Sequence, residues 1–242
     1  MPSERFFFPF SLKEKHIQLE GKEFHHLFHV MRLQEKDSLE LVNGKGELAS
    51  GIIETIDKKK GALIALLSHK EEKENPFSLI LAQALTRPNL LDWIIEKGCE
   101  LGVYEFWLFP GDKSEKRSLS TSQLARLELL AISALKQSGR LFLPQIVVKP
   151  PLSQWEKIPF FYLFGDLAPQ APSLLDIKIP PGKTVFIIGP EKGISQEELS
   201  LLKNRNAQGI KLHNNTLRAE TAALTAACHY SFLTLYQNEA KK

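Results

Sequence analysis

The chain has 242 residues, a hydrophobic content of 43% and a formal charge of +3. This length is enough for two domains, and the composition is that of an ordinary globular protein rather than a disordered or fibrous one. Because the net charge is small, a nucleic-acid-binding surface would have to arise from local placement of cations, not from their excess. No run approaches about eighteen consecutive apolar residues, so we expect no transmembrane helix.

The first residues and the two cysteines favour a cytoplasmic protein. The segment 1–10 is apolar for only a few residues and lacks a small-residue cleavage site, so it is unlike a signal peptide. Cys99 and Cys228 lie far apart on predicted helices, without a CxxC motif. We therefore expect both to be reduced thiols in the core of a cytoplasmic protein.

The N-terminal part has the pattern of a small β-rich domain with one helix. Its predicted elements are a helix over 23–33 and strands over 38–42, 47–55 and 62–68, with hairpin turns at Asn43-Gly44 and Lys60-Gly61. His25 and His29 would share a face of the helix. No cysteine or acidic residue follows at ligand spacing, so packed or solvated histidines are favoured over a metal site.

The charged segment 69–77 is predicted to be a linker, because it has too few apolar residues to build a core. Strands and helices alternate beyond it, which indicates a parallel sheet with helices on both faces. The predicted strands lie near 78–85, 104–109, 145–148, 160–164, 184–188 and 209–212, and the helices near 89–101, 120–137, 195–205 and 217–237.

A loop that follows one of these strands is a candidate binding site. The apolar run 184–188 stops at Gly189-Pro190, and Ser195 is a suitable N-cap for the next helix. Glu191 and its neighbours would therefore lie at the carboxyl end of a strand, where open α/β sheets usually bind ligands. A purely structural strand-to-helix turn is equally compatible with this pattern.

A second loop repeats the arrangement. The strand near 209–212 is followed by a polar turn over 213–216, and then by a long, nearly uncharged helix that we expect to be mostly buried. Arg218 and Glu220 are the only charges near the start of that helix. A cation there opposes the helix dipole, which indicates either a functional role for Arg218 or a salt bridge with a nearby carboxylate.

The two loops together resemble a known signature. IGPEKGIS (188–195) followed by LRAETA (217–222) is similar to the paired motifs of the RsmE-type ribosomal RNA methyltransferases, a branch of the SPOUT superfamily. The resemblance extends over nearly the whole chain in the expected order, through HHLFHVMR (25–32), Lys97 with ELGV (100–103), Arg117-Ser118 and QSGR (137–140).

The resemblance implies a fold, a reaction and partners. The fold would be α/β, with a trefoil-knotted SPOUT methyltransferase domain over 73–242 that follows a barrel-like, PUA-like RNA-binding domain over 1–72. The protein would be a cytoplasmic homodimer that uses S-adenosylmethionine to methylate N3 of a specific uridine in small-subunit (16S) ribosomal RNA. Two alternatives remain: a noncatalytic RNA-binding or ribosome-assembly factor with the same fold, and a SPOUT methyltransferase that acts on another RNA.

Charged residues in the two adjacent polar turns are candidates for catalysis, the family pattern indicates cofactor- and RNA-binding residues, and we expect no metal site. Arg218 would stabilise the anion that develops on uracil, and Glu191 would act as a base or would orient Arg218. The cofactor would be bound by residues of three loops, namely Leu163, Phe164, Gly165, Ile188, Gly189, Pro190, Gly193, Leu212, Asn214, Asn215 and Leu217. Ribosomal RNA would be bound by Arg5, His25, His26, Arg32, Arg117 and Arg140.

Four positions in the two loops depart from the family pattern. Lys192 and His213 replace glycines, Asn215 stands where an arginine is common, and Ala219 replaces a threonine. If position 192 needs a positive φ, the lysine is strained; if it does not, the lysine adds a cation beside the site.

Overall fold

A computed structural model describes residues 4–156 and 159–239. The chain forms two compact units, one of which contains the residues up to Glu74 together with Ile132–Leu143. The other contains Asn75–Ala131 and the residues from Pro144 onward. The sequence placed a boundary after residue 72 and gave no sign that the segment 132–143 packs with the first unit.

The first unit is built on a five-stranded sheet with the strand order β1-β3-β4-β5-β2. The predicted strands are confirmed, but two further strands were missed because three or four residues are too few to show a period of two. Buried apolar side chains from all five strands, including Phe6, Ile17 and Leu41, form the core. The strands are β1 (Arg5–Phe7), β2 (His16–Leu19), β3 (Ser38–Val42), β4 (Glu47–Asp57) and β5 (Gly61–Glu71).

One helical segment accompanies this sheet, as predicted, but it is not regular. An α-helix, α1 (Gly21–His25), continues into one π-helical turn (His26–Val30). Arg32 follows with a φ of 55°, a conformation that is uncommon for a residue with a side chain. Because π-turns and positive φ values concentrate at functional sites, this segment is a candidate binding surface.

The predicted linker is wrong at both ends. Residues 69–71 belong to β5, which pairs with β4 as far as the Glu47–Glu71 pair, and the next strand begins at Phe77. Pairing along β4 supplies backbone hydrogen bonds whatever the side chains are, so charged residues extend the strand at an exposed edge. Only the residues from 72 to 76 connect the two elements.

The second unit has a six-stranded, wholly parallel sheet with the order β11-β9-β10-β6-β7-β8. The predicted α/β class is thereby confirmed, whereas the trefoil knot stays a prediction. The strands are β6 (Phe77–Ala84), β7 (Glu105–Phe109), β8 (Gln145–Val148), β9 (Phe161–Gly165), β10 (Gly182–Ile188) and β11 (Gln208–Ile210). The helices are α2 (Pro88–Glu100), α4 (Gln196–Asn204), α5 (Ala219–Glu239) and α3 (Thr121–Ser138), whose residues from Ile132 onward belong to the first unit.

Helices cover both faces of this sheet, as the alternation of elements predicts. Val185 and Ile187 of β10 pack with Leu202 of α4 in one apolar cluster. Thr184 points to the opposite face, because neighbouring strand residues alternate, and there it lies beside Tyr230 of α5. Burial raises the pKa of Tyr230 to about 12, and the Thr184 hydroxyl opposes this rise.

Helix α5 differs from its prediction in three respects. It begins at Ala219 rather than at residue 217, so Arg218 precedes the first turn. It is buried along only part of its surface, and it exposes Phe232, Leu235 and Tyr236. Cys228 is exposed on the same helix, so the prediction of a core thiol holds for Cys99 alone. No helix within 4–156 and 159–239 is long and apolar enough to span a membrane.

Candidate active site

A cavity of about 520 Å³ opens beside the loops that follow β9, β10 and β11. This volume is typical of small-molecule sites, and the location is the expected carboxyl end of the parallel strands. Its walls come from three loops, from the first turns of α4 and α5, and from Lys113. The lining residues outside the predicted cofactor set are Lys113, Asp166, Leu167, Glu191, Lys192, Ile194, Gln196, Leu199, His213, Thr216, Ala219 and Ala222.

Most of the predicted cofactor-binding residues lie together around this cavity. Leu163 and Phe164 do not line it, because their side chains are buried in the sheet, and Asn214 is exposed outside the lining. The predicted residues that line the cavity are Gly165, Ile188, Gly189, Pro190, Gly193, Leu212, Asn215 and Leu217. Asp166 was missed, although its position directly after the apolar strand β9 was the available signal.

The loop from Gly189 to Ile194 is a tight turn that requires two glycines. The N–H of Gly193 donates to the carbonyl of Pro190 at 2.8 Å, and Gly193 has a φ of 73°. A Cβ at Gly189 would lie 2.9 Å from the backbone nitrogen of Ile194, which is too close for any other residue. Lys192 is not in the left-handed region, so it is unstrained and adds a cation to the cavity wall.

Two contacts from β6 and the turn before α2 hold this loop. Gln83, which is fully buried, donates from Nε2 to the carbonyl oxygens of Ala84 at 2.9 Å and Gly189 at 3.3 Å. The N–H of Arg87 donates to Oε1 of Glu191 at 3.3 Å. Gln83 was not predicted as a site residue: a polar residue within the apolar run 79–85 indicates a buried group that needs partners, but not which partners.

The β7–α3 loop is fastened to the start of α4. Ser195 donates from Oγ to Oδ2 of Asp112 at 2.6 Å, and the N–H of Asp112 donates to Oε1 of Glu198 at 3.1 Å. Ser195 and Glu198 also form a reciprocal capping box, which confirms the predicted N-cap. These hydrogen bonds connect the loop that carries Lys113 to the start of α4, and Lys113 Nζ donates to the carbonyl of Ile194 at 3.2 Å.

Arg117, predicted to bind RNA, braces that loop. Its Nη1 donates to the carbonyl of Gly111 at 2.7 Å and lies 3.4 Å from that of Asp112. Glu115, on the same loop, forms an ion pair with Lys192 at 3.2 Å, and both side chains are more than half exposed. An exposed pair of this kind contributes little stability.

The third loop places Arg218 immediately before α5. Its carbonyl accepts the first helical hydrogen bond from Ala222 at 2.8 Å, and its side chain is exposed. Among residues 4–156 and 159–236 no carboxylate forms an ion pair with it, which removes the salt-bridge interpretation for these side chains. Its neighbours Leu217 and Ala219 line the cavity, although Arg218 itself does not. His213 Nδ1 accepts from the N–H of Asn215 at 3.0 Å, so the histidine shapes the turn.

The other predicted RNA-binding residues belong to the first unit. Arg5 is only 8% exposed, and it donates from Nε and Nη2 to Glu40 at 3.0 and 2.8 Å. His26 packs edge-on against Phe6 with ring centroids 5.8 Å apart. His25 and Arg32 are exposed, and Arg140 lies in the segment that packs with this unit. No group of three His, Cys, Asp or Glu side chains in the described ranges could hold a metal ion.

Comparison with known protein families agrees with this geometry. The profile of the RNA methyltransferase domain matches residues 73–230. The chain belongs to the RNA methyltransferase family. A second profile, that of the RNA methyltransferase PUA domain, matches residues 19–66. The resemblance seen in the sequence is thus confirmed, and within this RNA methyltransferase both predicted domain types are represented.

The chain is similar to curated ribosomal RNA small subunit methyltransferases. The ribosomal RNA small subunit methyltransferase E of Bacillus subtilis is 26% identical over 90% of this chain and 90% of its own length. The protein of that name from Rickettsia conorii is 29% identical over 86% of each chain.

Solved structures superpose over almost the whole chain. A ribosomal RNA small subunit methyltransferase E from Neisseria gonorrhoeae, bound to S-adenosyl methionine, is 26% identical. It superposes with a TM-score of 0.86 over 96% of this chain and 98% of its own. A probable rRNA-methyltransferase from Porphyromonas gingivalis, also 26% identical, gives a TM-score of 0.82 over 97% and 99% of the two chains.

Proposed function

We propose that this RNA methyltransferase uses S-adenosylmethionine to methylate N3 of a specific uridine in small-subunit (16S) ribosomal RNA. The observation that carries the proposal is the cavity formed by the two signature loops and the loop after β9. The names of the relatives support methylation of small-subunit ribosomal RNA, and the ligand bound to the Neisseria gonorrhoeae protein supports the cofactor.

The residues around the cavity fit this cofactor. Ile188, Leu212 and Leu217 give apolar surface for an adenine ring, and the glycines let backbone groups approach closely. Lys113 and Asp166 place opposite charges on the wall, which suits the carboxylate and ammonium groups of a methionine moiety. When bound, the cofactor supplies an activated methyl group, and the protein supplies position and electrostatics.

Arg218 and Glu191 are the proposed catalytic residues. Methylation at N3 removes the imide proton, so negative charge develops over the uracil carbonyl oxygens. Arg218 would donate hydrogen bonds to those oxygens, which its exposed position and lack of an ion-pair partner among the described residues allow. Glu191 would accept the proton or orient Arg218, because one carboxylate oxygen is held by Arg87 and the side chain is exposed in the cavity wall.

The decisive experiment combines cofactor binding with analysis of modified ribosomal RNA. Arg218→Ala is expected to bind S-adenosylmethionine as the wild type does, by isothermal titration, and to lose methylation of small subunits from a strain in which the gene is deleted. Arg218→Lys, which keeps the charge but not the planar fork, should recover part of the rate. Unchanged N3-methyluridine in the deletion strain's ribosomal RNA would overturn the proposed reaction.

We further propose that the protein acts in the cytoplasm, since ribosomal RNA is its substrate. We also propose that it is a homodimer. Helix α5 exposes Phe232 (63%), Leu235 (58%) and Tyr236 (70%), which form an apolar surface of the kind that marks protein interfaces. Phe232→Glu should convert a dimer to a monomer in light scattering coupled to size exclusion. A wild-type monomer would contradict this part of the proposal.

The noncatalytic alternative has little support. It depended on disruption of the cofactor loop by Lys192 and on the loss of an arginine at Asn215. Lys192 fits the loop without backbone strain, and Asn215 lines the cavity. Absence of cofactor binding in the titration would restore that alternative.

A further inference from the structure

The first unit carries a groove whose walls have the chemistry of a nucleobase site. It is an open groove of about 560 Å³ between the start of α1 and the turn that joins β4 to β5. Phe24 forms an aromatic wall, Lys59 and Lys60 stand on the opposite side, and Glu20 is the one carboxylate among its lining residues. An aromatic face, nearby cations and an acceptor are the groups by which proteins bind unpaired bases.

The aromatic wall continues along the helical segment. The rings of Phe24 and Phe28 are nearly parallel, with centroids 5.7 Å apart and an angle of 15° between their planes. His29 meets Phe28 edge-on at 4.9 Å, and His25 lies 4.7 Å from His29. Phe24 and Phe28 are only partly buried although they pack on the core, so part of each ring is exposed to solvent.

A preorganised cluster of cations borders this wall. Lys58, Lys59 and Lys60 are consecutive and exposed, and Lys58 Nζ lies 5.9 Å from the centre of the Phe28 ring. Asp57 Oδ1 accepts from the N–H of Lys59 at 2.7 Å and from that of Lys60 at 3.2 Å.

Gln18 provides a second restraint on this turn. Its Nε2 donates to the carbonyl of Lys60 at 2.7 Å. The turn is therefore held by side chains, while its three ammonium groups are available to phosphates.

We propose that this groove and the surface of Phe24, Phe28, His29 and Lys58–Lys60 bind an unpaired segment of the substrate RNA. Bases would stack against the phenylalanine rings, and the lysines would contact the backbone. This inference rests on the proposed function, because it assigns part of the RNA recognition of the same enzyme to residues other than those that the family resemblance implies. A protein partner is disfavoured by three adjacent lysines, which favour a polyanion.

Salt-dependent binding of a short, fluorescently labelled oligouridylate tests the contribution of the lysines. For single strands the logarithm of affinity changes with that of salt concentration by about 0.7 per phosphate contact. The full-length variant K58A/K59A/K60A should therefore lower the slope by about 2 and weaken binding at low salt. The matched control, K13A/K15A/K70A, removes three exposed lysines of the same unit and should leave the slope unchanged. Lys70 lies at the end of β5 opposite to the Lys58–Lys60 turn.

Phe28→Leu tests the stacking contribution while keeping an apolar side chain on the core. It should weaken oligouridylate binding roughly tenfold, as expected for the loss of one stacked base, without changing the salt slope. A duplex of equal length should bind with less dependence on Phe28. Thermal melting and titration with S-adenosylmethionine verify that every variant is folded.

Three outcomes would overturn the inference: no oligouridylate binding by the wild type, equal slopes for the two lysine triples, or unchanged affinity of Phe28→Leu. Methylation of small subunits by the wild type is measured separately. If the wild type methylates subunits but the K58A/K59A/K60A variant keeps full RNA affinity, only this inference is contradicted. A wild type that binds RNA through this surface but never methylates contradicts the proposed function alone.

Discussion

The backbone N–H of Arg87 donates to Oε1 of Glu191 at 3.3 Å, across a sequence separation of 104 residues. Arg87 is the N-cap of α2, so the carboxylate lies at the positive end of that helix. The contact ties the signature loop to the start of α2. Glu191 therefore has a positioning role in addition to the proposed chemical one.

Substitution of Glu191 separates these two roles. Glu191→Ala should weaken S-adenosylmethionine binding about fivefold, because a hydrogen bond of about 1 kcal/mol that orders the loop is lost. Glu191→Gln keeps an acceptor oxygen and should bind the cofactor as the wild type does, in isothermal titration. Equal affinities for all three proteins would show that the contact does not organise the cofactor loop.

Gln83 is expected to be a second positioning residue. Gln83→Met removes its hydrogen bond to the Gly189 carbonyl but keeps the side-chain volume, so cofactor affinity should fall several-fold. The free energy of unfolding should change by less than about 1 kcal/mol, since Oε1 of Gln83 is buried without a partner and its removal offsets the lost bond. Urea denaturation and cofactor titration measure the two quantities. A large loss of stability with unchanged affinity would identify Gln83 as purely structural.

The buried Tyr230 predicts a loss of stability at alkaline pH. Its pKa in the folded protein is about 12, above the ordinary value near 10, so the unfolded chain releases the phenolic proton first. The stability that depends on the neutral phenol is fully present below pH about 10 and is lost as the pH rises to about 12. Its loss lowers the free energy of unfolding by about 2 to 3 kcal/mol.

Tyr230→Phe is the control for this pH dependence. The Tyr230 hydroxyl and Thr184 Oγ1 are both buried without a hydrogen bond of ordinary geometry, so the phenylalanine variant should fold well. Denaturation in urea across this pH range should show a shallower decline for the variant than for the wild type. Parallel curves would mean that another group causes the alkaline loss.

Substitution of Lys192 is expected to have little effect on stability, because the backbone at this position is unstrained and the ion pair with Glu115 is exposed. Lys192→Ala should change the free energy of unfolding by less than about 0.5 kcal/mol. A double-mutant cycle with Glu115→Ala should give a coupling energy below about 1 kcal/mol, measured by urea denaturation. A larger coupling would show that the pair braces the loop.

The sequence located most of the candidate site but not its supports. Glycines, the Ser195 cap and the apolar strand ends are local signals, and they placed two of the three cavity loops correctly. Gln83 and Asp112 could not be assigned, because their partners Gly189 and Ser195 are distant in the chain. A hydrogen bond between distant residues leaves no periodic trace in a single sequence.

Local pattern alone determined the order of the longer elements, the parallel sheet with its covering helices, and two of the loops that line the cavity. These follow from periodicity, capping and turn chemistry, each of which acts over a few residues. Only the tertiary structure decided that residues 69–71 continue β5, that Cys228 and the apolar side chains of α5 are exposed, and that Phe24 faces a groove beside Lys59. Burial and strand pairing depend on which distant segments meet, and that choice is made by packing of the whole chain rather than by any one segment.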